Sequence, residues 1–463
     1  MDHQNQPVCE IDPERYPLAR TFRRAMTPLE DFVHQETSSG ILLMICAVSA
    51  IVIANSPLFP LYDKILHTTV TIGSGSLSMT HSLHHWINDG LMVLFFFVVG
   101  LEVKREILIG ELSSIRQAIL PISAAVGGMI IPALCYLALN SSGDAVRGWG
   151  IPMATDIAFA LGVIALLGNR VPKALVPFLL ALAIVDDLGA VLIIAVFYTE
   201  TIHMGALLVA GGCLGALIAI NMAGVRHTLP YVIFGILMWI AMMKSGVHAT
   251  LAGVLTAFAI PSKSSCDATV FAERMTLLTR DFMDQISMQE VKDPELNILR
   301  NSRKQLILSA FDDSIQKMES PLQRMEHNLH VWVSFLIVPV FALANAGIPI
   351  SFGELGTILQ HPVTLGVIFG LVAGKTIGIF SFSWIVVVSG LSKLPEGCRL
   401  KHIAGVAILA GIGFTMSIFI GSLAFADQPE LLLNAKIGIV LASVVAGIAG
   451  YVWLLKCTGD TDG

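Results

Sequence analysis

The chain has 463 residues, of which 55% are hydrophobic and only 13% charged. Soluble domains carry about 25% charged residues, so an ordinary soluble fold is excluded and a polytopic membrane protein is expected. The formal net charge of −6, from 28 basic and 34 acidic side chains, leaves no basic domain that would engage nucleic acid.

Residues 1–34 are polar and carry Pro7, Pro13 and Pro17 with Arg15, Arg20, Arg23 and Arg24. They read as a cytoplasmic segment with no cleavable leader. From residue 35 to 456 the chain reads as a single transmembrane domain. A helix needs about 20 apolar residues to cross a bilayer, and about twelve runs meet that criterion. They lie at 39–56, 86–109, 117–139, 150–167, 175–199, 204–222, 229–244, 246–261, 331–350, 362–389, 402–425 and 433–456. Between the first two, residues 68–80 alternate apolar and polar around a Gly-Ser-Gly-Ser turn, which predicts a small β-hairpin. After the eighth, residues 262–330 are polar and mixed in charge, with helical stretches such as NILRNSRKQLILSAF and no catalytic motif. They read as a cytoplasmic insert, and 457–463 as a cytoplasmic tail.

Basic residues gather in alternate loops: Lys104, Arg105 and Arg116, then Arg170 and Lys173, Arg226, Lys263 with Arg274 and Arg280, and Lys393 with Arg399 and Lys401. The positive-inside rule then places both termini in the cytoplasm. The seven cysteines form no CxxC pair, and Cys46, Cys135 and Cys213 sit inside apolar runs. Neither a disulfide framework nor a zinc site is expected.

A charge at mid-bilayer costs at least about 2.5–3.5 kcal/mol, so buried ionisable groups are functional suspects. The fourth span carries Thr155 and Asp156, the fifth Asp186 and Asp187, and the tenth Lys375. A structural ion pair accounts for one acid and the lysine. Three carboxylates against one lysine leave at least one acid without a fixed partner, and such a group takes up a proton or binds a cation. Successive helical residues point about 100° apart, so Asp186 and Asp187 cannot both face one cavity squarely. One can line an aqueous funnel while the other turns to the lysine. Carboxylate and hydroxyl oxygens are the ligands that hard cations prefer.

Pro152 near the start of the fourth span, and Gly405, Gly411 and Gly413 within the eleventh, suggest breaks or close packing. Thr155-x-x-x-Phe159 recurs as Thr415-x-x-x-Phe419. Asp89 reads as a cap or a solvated acid. Glu102, Lys104, Arg105 and Glu106 read as a solvated helix end, and His248 as a packing residue. Glu326, His327 and His330 read as interfacial, with imidazoles that titrate near physiological pH.

Several long strings resemble the NhaA family of bacterial sodium/proton antiporters: WINDGLMVLFFFVVGLEVKRE, MATDIAFALG, AIVDDLGA, MKSGVHATLAG, EHNLH, AGKTIG and GIGFTMSIF. The resemblance covers nearly all of the apolar chain. It implies an all-α bundle of about twelve spans with two inverted repeats, an architecture for which this family is itself a standard example. The fourth and eleventh spans would unwind at mid-membrane and cross, with Pro152, Gly411 and Gly413 at the breaks. Asp187 would be the principal cation ligand and proton carrier, Asp186 the second carboxylate paired with Lys375 in one state, and Thr155 and Asp156 would support the crossing. Glu102, Lys104, Arg105, Glu106, Glu326, His327 and His330 would form a pH-responsive cytoplasmic funnel, with His248 also linked to pH response. The implied activity is electrogenic exchange of cytoplasmic Na+ or Li+ for external H+ in a bacterial inner membrane, by a homodimer joined through the hairpin, without a cofactor. The insert at 262–325 is longer than the family's usual linker. A sodium-coupled symporter, an intramembrane aspartyl protease and a passive channel are the alternatives. The absence of a GxGD string weighs against the protease.

Overall fold

The computed structural model describes residues 36–73, 79–199, 202–264, 266–287, 302–349, 353 and 355–459. The N-terminal segment 1–34, the hairpin tip at 74–78, residues 288–301 of the insert and the end of the tail lie outside the described residues.

Eight described helices are long and apolar enough to cross a membrane: Ile115–Leu139, Asp144–Leu167, Leu175–Phe197, Met204–Met222, Thr228–Ser245, Pro321–Asn345, Pro362–Val388 and Pro429–Cys457. Four more segments complete the expected set. Glu36–Ala54 is the first span. The second is a π-turn, Trp86–Leu91, continuing into Met92–Ile109, whose C-terminal half holds Glu102, Lys104, Arg105 and Glu106. The eighth is the short helix Thr250–Ala259. The eleventh is the pair Leu400–Leu409 and Phe414–Ala424, bent by 48°.

Two spans differ from expectation. The eighth was expected to run over 246–261, yet only 10 residues are helical, about 15 Å of rise against a hydrocarbon core of about 30 Å. Gly246–Ala249 is a turn, entered through Gly246 at φ +82°. The ninth begins at Pro321, not near 331, because Ser320 caps it and Pro321 sits in its first turn. Glu326, His327 and His330, expected in the insert, therefore belong to a spanning helix.

The predicted hairpin is present as β1 (Thr69–Ile72) and β2 (Met79–Ser82), antiparallel with Ile72 opposite Met79 and Thr69 opposite Ser82. Among the described residues, the insert forms the helices Ala268–Ser287 and Ser302–Met318. Arg274 of the first lies 3.5 Å from Asp313 of the second, which ties the two together. The Lys317 ammonium, 2.7 Å away, holds the Asp313 carboxyl below its ordinary range. The hairpin follows one span and the insert follows eight, so they lie on opposite faces, called here the hairpin face and the insert face.

One apolar core joins spans one, two, four, nine, eleven and twelve through Leu43, Phe96, Ile151, Phe341, Phe419 and Ile439. A second joins spans three, four, five, ten and eleven through Leu120, Ile164, Leu179, Ile379 and Leu409. Spans six and seven pack at the side and leave Leu208, Met222 and Ile233 exposed, the surface a lipid-facing helix presents.

Spans three and ten meet backbone to backbone at Gly127 and Gly378. A Cβ on Gly378 would stand 2.1 Å from the Gly127 carbonyl oxygen. Small residues permit such contact between membrane helices. Gly378→Ala forces the helices apart one turn from Lys375; overpacking of this kind costs about 1–3 kcal/mol, so the thermal unfolding midpoint in detergent falls. An unchanged midpoint would show that span ten moves freely here.

Candidate functional site at the crossing of two broken spans

Span four is not a continuous helix. A 3₁₀ segment, Asp144–Met153, runs to Pro152, the backbone is extended over Ala154–Asp156, and an α-helix resumes at Ile157. Proline cannot donate into the preceding turn, which helps end the first half. Span eleven breaks over Ala410–Gly413. Gly411 and Gly413 serve close approach: a Cβ on Gly411 would lie 2.6 Å from the Leu371 carbonyl oxygen, and one on Gly413 would lie 2.2 Å from Ser417 Oγ.

The two breaks cross and satisfy each other's backbone, as groups without access to water require. Asp156 N–H donates to the Ile412 carbonyl at 2.6 Å. Ser417 Oγ donates to the Ile151 carbonyl at 2.8 Å, and Ser443 Oγ accepts from Phe414 N–H at 3.2 Å. The Lys375 ammonium donates to the Met153 carbonyl at the end of the first half-helix. The Thr155 hydroxyl lies 2.7 Å from Asp186 Oδ2 and 3.2 Å from the Ala410 carbonyl; its one proton serves one of them at a time.

Asp156 is fully inside this crossing and caps two helices. Its Oδ1 accepts from Phe159 N–H at 3.0 Å, in its own helix. Its Oδ2 accepts from Thr415 N–H at 3.0 Å and from the Thr415 hydroxyl, at the start of the facing half-helix. Both helix N-termini favour an anion. Asp156→Ala removes both caps, at about 0.5–2 kcal/mol each. It is expected to lower the unfolding midpoint more than either Thr415→Val or Ser417→Ala. A smaller loss than from Thr415→Val would show that water replaces the carboxylate.

The fifth span is unbroken, and Asp186 and Asp187 point apart as helical geometry demands. Asp186 Oδ2 accepts from Lys375 Nζ at 2.6 Å, with both side chains fully buried. Lys375 follows a π-turn, Gly370–Gly374, a feature found often at functional sites. Asp187 is also fully buried, and neither of its oxygens has a hydrogen-bond partner among the described residues; Asp186 Oδ1 has none either. The expected funnel does not reach Asp187 in this conformation, because its side chain is 0% exposed. Thus Asp156, Asp186, Asp187, Thr155 and Lys375 come together, and three carboxylate oxygens remain unpartnered between the crossing breaks.

The other candidates divide into two groups. On the insert face, Arg105 lies 3.1 Å from Glu326 and 3.3 Å from Glu106, and His330 lies 3.5 Å from Glu102. Lys104 donates to the carbonyls of Phe258, at 2.6 Å, and Ile260. It thereby closes the end of the short eighth helix. The expected solvated helix end is instead a partly buried polar network joining spans two, eight and nine. His327 is exposed and outside it. His248 lies at the other face, its Nε2 3.0 Å from the Tyr198 carbonyl. Sequence reasoning missed Ser417 and Ser443; their only signal was a hydroxyl inside an apolar span.

This arrangement of interrupted, crossing spans around buried acids defines a multi-pass membrane protein of the secondary-transporter class. The chain matches the Na+/H+ antiporter 1 family over residues 30–454. It is 50% identical over 458 residues to the Na(+)/H(+) antiporter NhaA 1 of Saccharophagus degradans, covering 98% of this chain and 97% of that one. It is 48% identical over 438 residues to the Na(+)/H(+) antiporter NhaA of Sulfurimonas denitrificans, covering 95% and 97%. It is also 48% identical over 439 residues to the Na(+)/H(+) antiporter NhaA of Syntrophobacter fumaroxidans, covering 95% and 92%. The chain belongs to the Na+/H+ antiporter 1 family.

Proposed function

We propose that the chain exchanges sodium, or lithium, for protons across the membrane, with Asp187 holding the two in turn. The observation that carries this reading is the pair of unpartnered Asp187 oxygens, fully buried beside the crossing breaks. A carboxylate without a hydrogen bond keeps such a position only when a proton or a cation neutralises it. The free Asp186 Oδ1 adds a third oxygen of the kind a hard cation prefers. A proton and a sodium ion then compete for one site, and exchange follows if the empty, fully charged site does not reorient.

Asp186 exchanges its lysine partner for the cation as the site loads, and Lys375 then turns wholly to the Met153 carbonyl. Asp156 and Thr155 hold the crossing. If both aspartates release protons for each sodium, net charge moves and the exchange is electrogenic. The ion-pair network of Glu102, Arg105, Glu106, Glu326 and His330, with Lys104 beside it, lies at the insert face, where protonation would reset its attractions. This placement supports it as the pH-responsive entrance. The basic loops argue for an insert face in the cytoplasm and termini on that side, in a bacterial inner membrane, with one domain over 35–456. The hairpin is the proposed contact of a homodimer.

Everted vesicles test the core claim. Adding Na+ or Li+ after a proton gradient has been built will collapse the gradient. No collapse at any pH between 6.5 and 9, or sodium movement that requires an organic solute, would overturn it.

A further inference from the structure

The eighth helix starts only at Thr250, and the depth it leaves open is a cavity of about 420 Å³ on the hairpin face. Its walls are β2, the first turns of span two, and the turn between spans seven and eight. The charged or titratable side chains along it are His81, His85, Asp89, Lys244 and His248. Neither the crossing site nor the insert-face network uses any of them except the expectation attached to His248.

Three of these form an ordered chain. The His81 ring, on β2, stacks on His85 with centroids 4.2 Å apart. His85 Nε2 lies 3.2 Å from Asp89 Oδ2, one helical turn further in. Exposure falls along the chain, from 39% for the His85 side chain to 22% for Asp89. Asp89 sits on the π-turn Trp86–Leu91, which widens the helix at that point. Trp86 Nε1 donates to the Val70 carbonyl at 3.0 Å, so the hairpin is fastened where the chain begins. The other groups facing it are His248, held on the Tyr198 carbonyl, and Lys244 at the end of span seven. His84 turns away, to Asn345 and toward His67 and Lys436.

We propose that Asp89, fed by His85 and His81, is the group through which the exchanger loads protons from the hairpin face. This deepens the antiport reading and rests on it. At neutral and alkaline pH free protons are scarce, and imidazoles are the side chains that exchange them in that range. Burial and the neighbouring His85 hold His81 below its ordinary value, so it stands neutral and able to accept. Two stacked imidazolium rings repel, so the stack carries one proton at a time. Stacked rings do not point an N–H at one another, so the proton crosses from His81 to His85 through water in the cavity they line; from His85 Nε2 it passes directly to Asp89 Oδ2, 3.2 Å away. The hand-off moves a proton only, and each group returns to its starting state when the proton passes on.

The test uses the full chain reconstituted in liposomes of known orientation. The exchange rate is measured while hairpin-side pH varies at constant insert-side pH, and then the reverse. Asp89→Asn is expected to move the hairpin-side half-maximal rate by about one unit toward acid, since one pKa unit is a tenfold change in proton occupancy. The insert-side profile should stay in place. His85→Asn should shift the same profile in the same direction by less, and His81→Asn by least. An unmoved hairpin-side profile in Asp89→Asn, or equal movement of both profiles, overturns the inference. Absence of exchange in the unmutated protein would instead overturn the antiport reading itself.

Discussion

Asparagine at position 187 abolishes exchange while leaving the protein at least as stable as it was. Most buried polar substitutions cost stability because they strand a partner. Among the described residues Asp187 has no hydrogen-bonded partner to strand: both oxygens are unpartnered and the side chain is fully buried. The amide matches the carboxylate in shape and carries no charge that a cation or proton must neutralise. Its removal also eases the repulsion between adjacent carboxylates at 186 and 187. Sodium-driven collapse of the gradient in everted vesicles should therefore fall to background. The unfolding midpoint in detergent should hold or rise, and it should lose its dependence on sodium, because ligand stabilisation vanishes with the site. Retained exchange would remove Asp187 as the carrier. A lowered midpoint would mean that the carboxylate has a structural partner, and the argument from its isolation would fail.

What was legible in the sequence follows from what is expensive. Asp156, Asp186, Asp187 and Lys375 stood out because a charge in an apolar run has few explanations. Pro152 and the glycines of span eleven marked the breaks because backbone limits are local. The crossing itself was not legible from composition. Asp156 N–H finds its acceptor at Ile412, in another span far along the chain, and no local pattern records that. Ser417 and Ser443 hid for the same reason: a serine hydroxyl barely alters an apolar run, and its value lies in the carbonyl or N–H it meets across the bundle. The eighth span misled because apolarity was read as length. Residues 246–249 are turn, and Lys104 from span two closes the other end of the helix. The ninth misled in the opposite sense. Its charged first turns, with Glu326 and His330, look like loop until Arg105 and Glu102 are seen to meet them.

Lys375 is where structural and chemical roles can be separated. Lys375→Ala leaves Asp186 buried against the Thr155 hydroxyl alone, and breaking a buried pair from one side costs about 3–5 kcal/mol. It also frees the Met153 carbonyl at the end of the first half of span four. The unfolding midpoint should drop sharply at neutral pH. The drop should shrink as pH falls, because a stranded carboxylate sheds its burial penalty by taking up a proton. Removing both charges, as Asp186→Asn with Lys375→Met, should restore most of the lost stability, since apolar or neutral replacement of a whole buried pair is often neutral or stabilising by about 1–4 kcal/mol. Exchange should not return with it. If the pair were only a rivet between spans five and ten, the double variant would recover transport along with its fold. If the pair is the counterweight that lets Asp186 trade its lysine for a cation, a stable double variant will stay silent. Unfolding midpoints and vesicle exchange, measured on both variants, decide between the two.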